Sequence, residues 1–131
     1  MGAPRQTTVR RLGPGDEAVV ERLATREPRT ALLSDERTVF LAAFDGDEPV
    51  GFAFGYELPR RHGRPTELFV YELGVDERYR RRGIGRRLME ELLRGRAAAF
   101  VLTEPDNEAA NALYASLGRP VRSEAVMWEW E

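Results

Sequence analysis

The run TELFVYELGV at residues 66–75 constrains this chain more than any other segment. Apolar side chains fall on both of its faces, so both need cover, which is the mark of a strand inside a sheet. After an arginine-rich loop, Ile84, Leu88 and Leu92 recur at helical spacing, with Met89 and Leu93 beside them. That stripe predicts an amphipathic helix over 84–94. Arg86–Glu90, Arg87–Glu91 and Glu90–Arg94 stand four residues apart on its outer side, positioned as ion pairs. A central strand followed by a loop and a helix is an α/β arrangement, and the rest of the chain must be read around it.

Residues 7–12 read as a first strand, broken by Gly13-Pro14-Gly15-Asp16, and 14–25 as a helix with Ala18, Val19 and Leu23 facing inward. The pattern over 27–37 is poor and suggests a short helical or mobile segment. Residues 38–44 and 50–56 are strand-like and flank Asp45-Gly46-Asp47-Glu48, which predicts a hairpin. Residues 58–65 form a loop rich in Pro, Arg and Gly, and His62, the one histidine, lies there as an exposed residue. A short buried strand is expected over 97–103, a second amphipathic helix over 107–117 stopped by Gly118, and one or two closing strands over 121–130. A hairpin followed by strand–helix alternation predicts a mixed-sheet α/β fold.

With 131 residues, the chain has room for one domain and no second core. Its cysteine count of zero excludes disulfides, thiol catalysis and thiolate metal sites. No apolar run is long enough to span a bilayer, and residues 1–8 lack the apolar core of a signal peptide. The expectations are therefore a cytoplasmic protein with no membrane partner. All 20 basic residues are Arg against 22 acidic ones, a net charge of −2, which runs against a general nucleic-acid binder. Any phosphate partner must be held by guanidinium groups or backbone amides.

The loop 76–85 (DERYRRRGIG) is where such a partner fits. Glycines at a helix start let a ligand approach the backbone, and the free amides of the first turn with the helix dipole make an anion site. Arg78, Arg80, Arg81 and Arg82 add charge-assisted donors. A solvated basic turn is the plainer reading, but cations at a helix N-terminus oppose the dipole unless an anion binds. The loop lacks the Lys of a P-loop and the third Gly of a dinucleotide fingerprint.

Arg80-x-x-Gly83-x-Gly85 after a central strand resembles the acetyl-CoA pyrophosphate loop of the GNAT superfamily of N-acyltransferases. Asn107-x-x-Ala110-x-x-Leu113-Tyr114-x-x-x-Gly118 is similar to that superfamily's other cofactor helix. Residues 9–14, 40–45, Val50-Gly51, 56–59, 70–75 and Val126-Met127 resemble the fortimicin-type aminoglycoside 3-N-acetyltransferases, so the likeness runs along nearly the whole chain. It departs at 25–38, which is short for that family, and at Glu72, where relatives often carry Asp.

The resemblance implies one N-acetyltransferase domain over 1–131, with a central mixed, mostly antiparallel sheet and helices on both faces. It implies acetyl-CoA as co-substrate, no metal, and direct transfer in a ternary complex. Leu73, Gly74 and Val75 would pair with the pantetheine arm, while Arg80, Arg81, Arg82, Gly83, Ile84, Gly85 and Arg86 would surround the pyrophosphate. Asn107 and Ala110 lie on the cofactor helix; Asn107 suits a pantetheine ligand and a helix N-cap equally. Tyr114 would serve as the acid for the departing thiolate, against plain packing as the alternative. Glu72 would be the base for the amine, partly desolvated on its strand, against an ion pair with an arginine. Asp35, Glu36, Glu57, Glu104, Asp106 and Glu129 would line a cleft for a polycationic aminoglycoside. A homodimer is also compatible, with Trp128 and Trp130 as contact surface or as core.

Overall fold

The computed structural model describes residues 7–24, 27–61 and 66–131. His62 and the Thr25 end of the first expected helix therefore lie outside the described residues. The described elements are β1 (Thr7–Leu12), α1 (Glu17–Leu23), a 3-10 turn (Thr30–Ser34), β2 (Thr38–Asp45), β3 (Glu48–Leu58) and β4 (Glu67–Val75). They continue with a second 3-10 turn (Glu77–Tyr79), α2 (Ile84–Leu93), β5 (Ala99–Val101) and α3 (Glu108–Ala115).

The strands form one sheet in the order β1-β2-β3-β4-β5. The first three pairings are antiparallel and β4–β5 is parallel, giving the mixed, mostly antiparallel sheet expected. Alternation along β2 divides the core into two layers. Val39, Leu41 and Ala43 face a cluster with Leu68, Val70 and the α2 residues Ile84, Leu88, Met89 and Leu92, against which α3 also packs through Leu113 and Tyr114, followed by Leu117 just beyond it. Phe40, Ala42 and Phe44 face the other way, joining Leu12, Val20, Leu33 and Phe54 beneath α1 and the first 3-10 turn. Helices thus cover both faces.

The most completely buried strand is β2, whereas β4 is buried at Leu68 and Val70 and exposed at Tyr71 and Glu72. The helix expected from Pro14 starts at Glu17 instead. The Asp16 carboxylate accepts from the Gly13 amide at 2.9 Å and from Arg10 at 3.0 Å, closing a turn with Gly15 at φ 103°. Of the three outer pairs expected on α2, Arg86–Glu90 forms at 3.0 Å. Arg87 donates to the Thr7 carbonyl instead, and Glu91 takes Arg94 at 2.7 Å. No strand forms over 121–130. Val121, Val126, Met127, Trp128 and Trp130 are all exposed, so the tryptophans are not core. The alternation there suits a strand, but a strand needs a neighbour to satisfy its peptide groups, and this segment pairs with none among the described residues.

Leu88 is fully buried where α2 meets the sheet. Leu88→Ala should therefore cost about 2–5 kcal/mol of unfolding free energy through lost burial and a residual cavity. Urea denaturation checks this, with an unchanged midpoint as the contrary result.

Candidate functional site

The site begins where two strands part. β5 pairs with β4 only at Leu68–Ala99, Phe69–Phe100 and Val70–Val101, then ends, while β4 runs on to Val75. Residues 71–75 therefore have β3 on one side and, among the described residues, no strand on the other. Peptide groups on such an edge are ready to pair with an extended ligand. Opposite β3, the register steps from Phe54–Glu72 to Gly55–Val70, so Tyr71 is the extra residue of a β-bulge. The bulge sets Tyr71 and Glu72 side by side at the open end. Glu72 is exposed, not partly desolvated as expected, since β5 stops short of covering it. Its carboxylate takes no arginine among the described residues.

The loop after β4 is braced from beneath. Tyr79 donates its hydroxyl to Asp45 at 2.7 Å, and that hydrogen bond raises the phenol above its ordinary pKa. The Arg82 guanidinium lies 5.0 Å from the Tyr79 ring centre. Arg78 pairs with Asp76 and Glu48, and Arg80 reaches back to the Val75 carbonyl at 3.3 Å. Sequence reading missed Tyr79 and Asp45; an aromatic residue set among arginines was the available signal.

The backbone then takes two left-handed turns, at Arg81 (φ 63°) and Gly83 (φ 78°). Arg81 is the one described non-glycine residue with positive φ, a conformation that costs an L-residue on the order of 1–2 kcal/mol. The first helical bond of α2 runs from the Arg87 amide to the Gly83 carbonyl. The amides of Ile84, Gly85 and Arg86 precede it and have no partner within the helix. No side chain caps this end and no acidic residue lies in its first turn. The helix thus offers an uncompensated positive pole. Arg80, Arg82 and Arg86 also make contacts within the protein, and the amides stand beside them as donors. Arg86 does this most clearly, bonding Glu90 on its own helix and Ser116 Oγ at 2.6 Å beyond α3.

In α3, Asn107 is the N-cap: its Oδ1 accepts from the Ala110 amide at 3.1 Å. Asn111 fixes the preceding turn by donating to the carbonyls of Glu104 and Asn107. Tyr114 packs on the same core cluster as Leu73 and Val75, and burial pushes its phenol above the ordinary tyrosine pKa. The proton therefore stays on the oxygen at neutral pH. Gly85 marks the meeting point, since a methyl group there would touch Val75, Leu113 and Leu73 at 3.7–3.9 Å. The open end of β4, the start of α2 and the inner face of α3 converge on that glycine.

The six expected acceptor carboxylates are not gathered together. Asp35 accepts from the Arg37 amide, which holds its carboxyl below the ordinary range. Glu36 is exposed beside it. Glu57 pairs with Arg96, which also donates to the Leu92 carbonyl; strand alternation has turned Glu57 toward α2 while Tyr56 faces the other layer. Glu104 and Asp106 are exposed in the turn leading into α3, and Glu129 is exposed in the tail. No group of three or more His, Asp or Glu side chains among the described residues could hold a metal ion. No helix among them is long and apolar enough to cross a membrane.

The family model described as "Acetyltransferase (GNAT) family" matches residues 9–118, and the chain belongs to that family. It is 41% identical over 89 residues to the N-alpha-acetyltransferase RimI of Mycobacterium tuberculosis, covering 66% of this chain and 54% of that one. It is 32% identical over 97 residues to the L-2,4-diaminobutyric acid acetyltransferase of Methylotuvimicrobium alcaliphilum, covering 68% and 55%. The chain thus spans about half the length of these curated relatives. Among solved structures, it superposes with a TM-score of 0.81 and 29% identity on an aminoglycoside acetyltransferase, HMB0005, from an uncultured soil metagenomic sample, covering 96% of this chain and 98% of that one. Acetyltransferases of this family use acetyl-CoA.

The two glycines of the loop should respond differently to substitution. Gly83→Val forces a β-branched residue into the left-handed region and should lose about 1–2 kcal/mol of stability, although the side chain itself meets open space. Gly85→Ala meets only ordinary contacts and should gain up to about 1 kcal/mol by restricting the unfolded chain. Chemical denaturation measures both; equal effects would contradict the geometry.

Proposed function

We propose that this chain transfers acetyl from acetyl-CoA to an amine of an aminoglycoside, at the 3-amino group, by direct transfer in a ternary complex. The observation that carries the reading is the convergence at Gly85 of the open end of β4, the uncapped start of α2 and Leu113 of α3, next to which stands the protonated Tyr114. Acetyl-CoA supplies an acetyl group activated as a thioester. Residues 73–75 pair with its pantetheine arm through the open edge of β4, where one amide can polarise the thioester carbonyl. The amides following Gly83, with Arg81 beside them, hold the pyrophosphate. Asn107 uses its side-chain oxygen as the cap and keeps its amide nitrogen for the pantetheine. Tyr114 holds a proton at its phenol oxygen for the sulfur. Glu72 takes the proton of the attacking amine, directly or through a water, and its exposure gives it access to a solvated acceptor.

The likeness to HMB0005 supports the aminoglycoside class, and the exposed carboxylate of Glu72 favours a cationic acceptor. The stronger identity to RimI favours a second reading, acetylation of a peptide N-terminus or a small diamine on the same machinery. On either reading we take residues 1–131 as one cytoplasmic acetyltransferase domain, and its exposed Trp128–Trp130 tail as a contact surface for a second copy.

A thiol-release assay over gentamicin- and fortimicin-type drugs, diamines and peptide N-termini tests the acceptor. Turnover with the aminoglycosides is expected; turnover confined to peptides would replace that acceptor while retaining the chemistry. In the same assay, Tyr114→Phe should lower kcat on the order of 10²-fold with little change in acetyl-CoA affinity. Glu72→Gln should shift the kcat/KM profile toward higher pH, where free amine is already present. Full activity of both variants would remove these residues from the chemistry.

A further inference from the structure

The face of the sheet away from α2 carries a chain of touching rings that the reaction does not use. Phe40 stacks on Phe54 at 5.2 Å, Phe54 meets Tyr71 at 5.4 Å, and Tyr71 meets both Tyr56 and Phe69 at 5.7 Å. The inner rings are covered, but Tyr71 remains 59% exposed. A large aromatic side chain supported by three rings and still open to solvent is an unusual use of apolar surface. Its position is set by the bulge, which inserts Tyr71 into β4 directly before Glu72. Burial raises the neighbouring Tyr56 phenol, and Tyr71, Asp35 and Glu72 raise it further. Asp35 is already paired with Arg37, through the amide at 2.9 Å and the guanidinium at 3.6 Å, which leaves Glu72 as the carboxylate without an arginine among the described residues. A π-face beside an unpaired carboxylate favours a cation over a neutral ring, since both the ring quadrupole and the charge attract it.

We propose that Tyr71, with Tyr56 at its edge and Glu72 beside it in the strand, is an ammonium-binding anchor that holds a primary amine of the acceptor beside the transfer site. This rests on the amine-acetylation reading and adds to it a residue that selects acceptors by charge. The bulge thus gives neighbouring residues two tasks: Glu72 handles the proton of the reacting amine, and Tyr71 holds a second ammonium group. An acceptor with two or more amines is then preferred over a monoamine of similar size.

The test is binding without acetyl-CoA, with gentamicin as the cationic probe and a neutral disaccharide as control, followed by calorimetry and by the tyrosine ring signals in NMR. Gentamicin should shift the Tyr71 and Tyr56 rings, and the disaccharide should not. Tyr71→Phe keeps the π-face and should bind within about twofold of the wild type, whereas Tyr71→Leu keeps bulk alone and should bind roughly five- to twentyfold more weakly. In turnover, the Leu variant should raise the acceptor KM without raising that for acetyl-CoA. Equal affinity of the Leu variant, equal ring shifts with the disaccharide, or no gentamicin binding to the wild type would each overturn the anchor. Binding with the expected Tyr71 dependence but no thiol release would instead overturn the acetylation reading and leave the anchor standing.

Discussion

The early end of β5 is the constraint on which the rest of this molecule depends. Parallel pairing stops at Val70–Val101, yet β4 continues for five more residues. A sheet normally hides such an edge, because unpaired peptide groups cost free energy when buried and invite aggregation when exposed. Here the edge is kept short and set beside two helices. It is flanked by the start of α2 and the inner face of α3, and the resulting notch has peptide groups on one wall and a helix pole at its end.

Holding that notch open requires rigid walls, and the polar contacts of the loop supply them. Tyr79 is tied to Asp45, Arg80 to the last carbonyl of β4, and Arg86 joins the α2 start to Ser116 beyond α3. Individually, exposed pairs of this kind contribute little to stability. Their effect is positional, since they fix the backbone that carries the left-handed turns at Arg81 and Gly83. Strain at Arg81 persists because those contacts over-determine the loop. On the proposed reading, a preorganised set of amides would meet an anion without having to order the chain first.

Much of this architecture was legible in the sequence. The stripe from Ile84 to Leu92 gave α2 its face, the Asp-Gly-rich turn gave the β2–β3 hairpin, and Asn107 announced the cap of α3. What could not be read depends on contacts between distant segments. The bulge at Tyr71 is invisible in a run that looks evenly apolar, so Glu72 was expected in a drier setting than it has. Glu57 looked like an acceptor ligand until strand alternation turned it toward Arg96. The tail from Val121 to Trp130 has the alternation of a strand, but pairing requires a free neighbour that periodicity alone cannot reveal. Tyr79 stands among arginines, which is a signal of its role, whereas Tyr71 carries no sign in the sequence of the rings that it touches.

We propose that the open edge of β4 and the first turn of α2 form one cofactor surface. Amide hydrogen exchange with and without coenzyme A addresses it directly. The amides of Leu73 and Val75, which face the open edge, and those of residues 84–86 should slow together on binding, over a common concentration range, while those of Gly74 and the already paired β2 change little. Slowing of one segment without the other, or of neither in a protein that demonstrably binds coenzyme A, would contradict it.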